Sequence, residues 1–380
     1  MKKFLVILMI VAGFFLNPVK IKAQVEAAQF PVFEAEIIEV IEQGEKEVAG
    51  QVAPYQLLKL NLIQTNDQIT SYQLEHGGFP TAFLQEYQAG DQVFVNFYQP
   101  LSELSQAEII DNTQANITGY ATYHSLGLIA FLFVVVVIIA TGAKGIKSLL
   151  SLVLSFVVIF KIVLPLLLAN VDPVLVISVM AVFIIPLTFY LSHGFNRKTH
   201  VAVLTTTLCL IFASLLAITL TNVTHLTGFA SEEAGFIAIE QQGQINIRGL
   251  LLAGIILGLL GTLDDVSVTQ AGLVFSLKKN NNKLGFKKLY QQAMLVGQDH
   301  ITSMVNTLVF VYAGASLPLL LLFINNPHPL SYVLSQEIVV EEIVRAVVTS
   351  VGLILAAPLT TLVASLVADW KQVKQQLQVK

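Results

Sequence analysis

Residues 258–272 read GLLGTLDDVSVTQAG, with two adjacent carboxylates, Asp264 and Asp265, among leucine, valine, glycine and small hydroxyls. The surrounding run from Gly249 to Leu277 holds no other charge and exceeds the ~20 helical residues that cross a hydrocarbon core. Its fifteen Leu, Ile, Val and Phe residues favour insertion by roughly 7 kcal/mol, and the two central aspartates oppose it by roughly 5 to 7 kcal/mol. The balance is marginal. Such a helix depends on its neighbours, and its polar edge is expected to face the inside of a bundle.

Working outward, the whole chain has the same character. Of its 380 residues 55% are hydrophobic and only 12% charged, and its mean hydropathy is +0.72, far from the roughly 25% charged of soluble domains. The composition is that of an integral membrane protein. A net charge of −4 gives no support for nucleic-acid binding, which requires clustered basic residues rather than a slight acidic excess. The single cysteine, Cys209, lies in an apolar run and reads as a small buried hydrophobe.

The fold predicted is an all-α membrane bundle of about seven helices, preceded by a small extracytoplasmic β-barrel or sandwich. Residues 1–23 open with Lys2 and Lys3 and an apolar stretch and reach Gln24 through Ile21 and Ala23, the layout of a signal peptide, or, given Lys20 and Lys22 so near the cleavage position, of an uncleaved signal anchor. From 24 to 123 the stretches VFEAEIIEVI, YQLLKLNLIQ and DQVFVNFYQ alternate like half-buried strands, separated by QGEKEVAGQ and QAGD. Residues 124–380 form the polytopic domain, with spans expected near 125–142, 148–169, 172–191, 200–221, 249–277, 300–324 and 343–366.

The loops between the spans sort by charge. Lys144, Lys147, Arg197, Lys198, the run KKNNNKLGFKK and the tail with Lys371, Lys374 and Lys380 fall on one side. NVDP, SEEAGF, IEQQG and NNPHPLSYVLSQEIVVEE fall on the other. The positive-inside rule then places the β-domain outside the cell membrane and the C-terminus in the cytoplasm.

Adjacent residues of a helix point about 100° apart, so the two aspartates occupy different faces. Steps of three and four from Asp265 collect Gly254, Gly258, Gly261, Thr262, Thr269 and Gly272, a small and polar face suited to close helix packing. Asp264 shares its more apolar face with Leu257, Leu260, Gly261, Ser267, Val268 and Ala271. Asp265 is therefore expected to face inward, with Asp264 as a flank. The competing reading of Asp265 is a hydrogen-bonded packing residue without a substrate.

A second polar face follows in VGQDHITSMVNTLVFVYAGASLP, where Asp299, Thr302, Ser303 and Asn306 recur at i, i+3, i+4 and i+7, with Tyr312, Gly314 and Ser316 beyond. Asp299 is equally readable as the N-cap of that span, and Asn306 as interhelical glue. Lys161 either pairs with Asp265 or snorkels to the outer face. Arg345, beside Glu341 and Glu342, reads as an interfacial anchor.

These segments, with VRAVVTSVGLILAAPLTT, resemble the YibE/F family of bacterial multi-pass membrane proteins, whose pattern runs G-x-x-x-D-x-x-x-S, then G-x-D, M-x-N-T-L and Y-x-G-x-S-L-P. The matching positions are Gly261 and Asp265, then Gly297, Asp299, Met304, Asn306, Thr307, Leu308, Tyr312, Gly314, Ser316, Leu317 and Pro318, and finally Arg345, Gly352, Pro358 and Thr360. Thr269 stands where the pattern has serine, and Asp264 where it is apolar. The resemblance extends to Gly90-Asp91 and the GFNRK loop. It implies the architecture and a companion chain of the same family without the exported domain. It implies no established activity.

The function expected is that of a transporter or permease subunit, ion- or proton-coupled through Asp265, with Thr262, Thr269, Asn306, Asp299, Ser303 and Lys161 as candidate partners in binding. Gly254, Gly258, Gly261, Gly272 and Gly314 are the expected packing glycines. The alternative is a non-transporting scaffold that pairs with a companion subunit, or with itself, and binds an envelope partner through the β-domain. An enzyme is not expected. An intramembrane aspartyl protease would need a second carboxylate facing the first. The seven histidines show no metal-site spacing, and no phosphate-binding loop is present. No catalytic residue, metal or cofactor is assigned, and the one certain partner is the lipid bilayer.

Overall fold

The computed structural model describes residues 32–48, 50–63, 71–79, 84–98, 109–110, 114–324 and 328–369. The signal segment and the lysines of the C-terminal tail lie outside them. The chain divides between Ala140 and Thr141 into two compact units.

The first unit is built on strands β1 (Val32–Val48), β2 (Gln51–Leu62), β3 (Ser71–Gly77), β4 (Gln92–Phe97), β5 (Ile109–Ile110) and β6 (Ala115–Tyr120). They form one sheet in the order β5-β3-β2-β1-β4-β6, antiparallel except for the β3–β5 pair. Alternation gives the sheet one apolar face, and Ile37, Leu58, Leu60, Leu74, Val93, Val95 and Phe97 close on each other there. QGEKEVAGQ, expected as a separator, is mostly strand: β1 and β2 stay paired out to Val48 and Gln51. Its residues are exposed on both faces, so the pairing lacks the apolar alternation by which strands are read. QAGD does turn, with Gly90 at φ 94° and Asp91 Oδ2 accepting from the Gln88 N–H at 2.7 Å.

To this unit also belongs helix α1 (Tyr123–Thr141). It is anchored by Tyr123, whose hydroxyl donates to Glu34 Oε1 at 2.8 Å. None of its residues is buried, and its side chains are apolar all round, as a lipid-immersed helix requires.

The second unit holds α2 (Ala143–Leu168), α3 (Pro173–His193), α4 (Arg197–Val223), α5 (Glu232–Glu240), α6 (Ile247–Asn280), α7 (Phe286–Ala315), α8 (Leu317–Ile324), α9 (Leu330–Leu334) and α10 (Glu337–Ala368). Polar loop residues set the starts of several of them. Asp172 accepts from the Leu175 N–H at 2.9 Å, Asn196 from Thr199 at 3.0 Å and Asn246 from Gly249 at 2.9 Å, all N-caps.

Counting α1, six of the described helices are long and apolar enough to cross a membrane, and a seventh crossing exists if α7 and α8 are one span. Those two meet at 70°, where the sequence predicted a continuous helix over 300–324. Pro318 lacks the N–H that would continue the ladder, and its ring obstructs the Gly314 carbonyl. At its other end α7 begins at Phe286, well before 300. Leu289, Ala293 and Gly297 bury one stripe of that early part, which its lysines and glutamines had made look like loop.

The core of this unit is the mutual packing of α4, α6 and α10. Ile255, Ile256, Leu259 and Leu263 of α6 are buried against Ala213, Ala217, Leu353 and Ala356. Gly352 lets α10 come close: a Cβ there would lie 2.7 Å from Leu259 Cδ1 and 3.4 Å from Ala213 Cβ. The contact is tied by a buried bond from Thr360 to Thr205, 2.9 Å between hydroxyls.

Candidate functional site

The aspartate that lines a cavity is Asp264, and the face carrying Asp265 is turned outward. This corrects the expectation that Asp265 is the inward member of the pair. Asp265, Gly254, Gly258, Gly261 and Thr269 are exposed, and a Cβ at Gly254, Gly258, Gly261 or Gly272 would meet no atom within 4 Å. The physical reason is burial: the leucines and isoleucines of α6 gain more from packing on α4 and α10 than glycines can, so the bulky face turns in. Thr262 is half-buried and donates to the Leu259 carbonyl at 2.9 Å.

Asp264 stands about 25 Å along α6, near its middle. It lines a half-open cavity of ≈ 350 Å³ between α2, α3 and α6, a volume within the range of small-ligand sites. Ser148, Ser151 and Ser155 of α2 and Thr188 and Ser192 of α3 supply the other polar wall, and Leu152, Phe156, Phe189, Leu257 and Leu260 the apolar one. Asp264 Oδ1 is buried and has no hydrogen-bond partner. Among the described residues no cation pairs with it; the ion pairs lie elsewhere, at Lys46–Glu75, Lys278–Asp369 and Arg345 with Glu341 and Glu342.

The hydroxyls decide what the cavity offers. Ser155 donates to the Ser151 carbonyl at 3.0 Å, Ser151 to the Thr188 carbonyl at 3.3 Å and Thr188 to the Ile184 carbonyl at 2.9 Å. With those protons committed to backbone, the oxygens present lone pairs. Beside a carboxylate, such a wall suits a proton or a hard cation.

Sequence reasoning missed this wall although its spacing is legible. Ser148, Ser151 and Ser155 recur at i, i+3 and i+7, and Thr188 and Ser192 at i and i+4, each set on one helix face. It also missed the Lys278–Asp369 pair. That lysine, read for topology, meets Asp369 Oδ1 at 2.8 Å and the Leu284 carbonyl at 2.7 Å. Asp369 Oδ2 accepts the Phe286 N–H at 2.8 Å, so one buried carboxylate holds the end of α6 and the start of α7.

The remaining expected residues lie apart from the cavity. Asp299, Ser303 and Asn306 are exposed on α7 and Gly314 is exposed near its end. Asp299 lies well inside α7, so the N-cap reading is replaced by Gly285 as the cap. Lys161 is exposed on a π-turn, Ile159–Val163, within α2, and makes no ion pair among the described residues. Arg345 does meet its neighbours, Glu341 at 3.1 Å and Glu342 at 3.5 Å.

Other positions singled out by spacing and pattern have packing work. The Gln270 amide fills the space above Gly297. Tyr312 and Thr349 hydroxyls are 3.1 Å apart, and since Thr349 donates to the Arg345 carbonyl, Tyr312 is the donor between them. A sequence model of YibE/F-like proteins matches residues 129–370. The chain belongs to the YibE/F-like family. The match covers the bundle, including the cavity, Gly297 and Gly352. No curated protein and no solved structure matches the chain.

Proposed function

We propose that this YibE/F-like protein is a transporter or permease subunit of the cell membrane, and that the cavity at Asp264 is its proton or cation site. The observation that carries the reading is the unpaired, buried Oδ1 of Asp264 in a cavity where Ser151, Ser155 and Thr188 have given their protons to backbone carbonyls. A mid-membrane carboxylate is costly and by default marks an ion or proton path. The basic loops at the ends of α2, α4, α6 and α7 support a cytoplasmic placement of that end and of the C-terminus, with the β-domain outside. The cavity then lies in the cytoplasmic half, with Ser148 and Ser192 nearest that surface.

The test uses the full chain in proteoliposomes loaded with a pH-sensitive dye, under imposed Na⁺, K⁺ or proton gradients. Wild type is expected to carry flux above protein-free vesicles, and Asp264→Asn to reduce it to background at matched incorporation. Equal flux from both, or none from wild type, overturns the reading. The second reading, a scaffold pairing with a companion membrane subunit and binding an envelope partner through the β-domain, is favoured by one observation, the uncovered small face of α6.

A further inference from the structure

The outward face of α6 combines open glycines with an exposed carboxylate near mid-helix. Within its own chain Asp265 has His193 of α3 in electrostatic range but takes no hydrogen bond from it among the described residues, and lipid can offer no donor. An occupant must therefore bring donors at the depth of Asp265 on a helix slim enough, or closely enough seated, to use Gly254, Gly258 and Gly261.

This chain exposes such a helix. Gln270 and Gly297 are in contact across the α6–α7 hairpin, and Lys278 and the Phe286 N–H meet the same carboxylate. Stepping away from that contact along both helices sets Gly261 level with Asn306 and Gly258 level with Val309. Ser303 comes level with the aspartate pair. The Ser303 hydroxyl and Asn306 amide are exposed on α7, and both are donors. A two-fold axis along the bilayer normal preserves depth, and its interface is self-complementary. It therefore brings the donors of one copy to the acceptor of the other twice over.

We propose that a second copy of this chain lays its α7 across the outward face of α6, with Ser303 and Asn306 of that copy donating to Asp265. Gly261 borders both this face and the Asp264 cavity, so the second copy also completes the cavity wall. That last point rests on the transport reading above; the pairing itself does not.

The experiment links differently tagged copies in native membranes, in a Cys209→Ser background that removes the chain's single cysteine. Gly258→Cys in one copy and Val309→Cys in the other should give a mixed-tag disulfide product under mild oxidation, whereas Gly258→Cys with the lipid-facing Phe183→Cys should not. Gly258→Leu meets nothing within its own chain, so it should fold, abolish the product for Gln298→Cys paired with Thr269→Cys, which the same register sets level, and leave a monomer by native mass. It should also raise thiol labelling of Ser155→Cys about tenfold. Absence of the mixed-tag product, or a product only with another membrane protein, overturns the pairing. Unchanged Ser155→Cys labelling in a proven monomer overturns the closure alone, and neither outcome depends on measuring flux.

Discussion

Two faces of α6 carry one aspartate each, and they have opposite fates. The face of Asp264 meets α2 and α3 across a cavity lined by serines and leucines, while on the other face Asp265 is exposed and Gly254, Gly258 and Gly261 look onto open space. The residues are neighbours in sequence, so composition and depth are shared. Only direction differs, by about 100°. A mid-helix carboxylate is thus two different objects depending on which helices the rest of its own helix has recruited.

The sharpest way to break this comparison is to neutralise the two in turn. Asp264→Asn should abolish flux in proteoliposomes, and Asp265→Asn should retain most of it at matched abundance. Reversed behaviour would make the outward face the working one. The next largest effect concerns what fixes the faces. Removing one partner of a buried ion pair costs ~3–5 kcal/mol, so Asp369→Ala should strongly lower the thermal midpoint in detergent and loosen hydrogen exchange at the start of α7. A midpoint unchanged from wild type would mean that the α6–α7 junction is held otherwise.

Glycine replacements sharpen the contrast between closed and open surfaces. Gly352→Ala overpacks Leu259 and Ala213 and should cost ~1–3 kcal/mol. Gly254→Ala has open space before it and replaces a poor helix former by a good one, so its chain stability should be unchanged or up by at most ~1 kcal/mol. Equal losses at both sites, measured by thermal unfolding, would show that the outward face is packed within the chain.

The smallest expected effect serves as a reference outside the membrane. His76 Nε2 lies 3.0 Å from the Gln85 carbonyl, and the ring packs edge-on to Tyr87 at 5.0 Å. Burial holds its pKa below the usual 6.5. The unfolded chain then binds the extra proton more readily, so this contribution is full above pH 6.5 and is lost as pH falls through the lowered value. Hydrogen exchange of β2 and β3 in the full chain should quicken modestly on acidification, and His76→Gln should flatten that dependence.

The amino-acid sequence by itself determined that the chain belongs in lipid, roughly where its helices run, and that Asp264 and Asp265 sit near the middle of one long apolar helix on different faces. Those properties are additive over local residues, being hydrophobicity, caps and the helical period. Even the serine wall was written locally, at three-, four- and seven-residue spacings on α2 and α3. Which face turns inward depended instead on the competition between surfaces that no single helix contains. The small polar face of α6 looked like the packing surface, yet Leu259, Leu263 and Ile256 found Gly352, Ala213 and Ala217 on α4 and α10 and took the interior. Tertiary structure decided that Asp264 and not Asp265 meets the hydroxyls, because burying bulky apolar side chains outweighs the close approach that glycines permit.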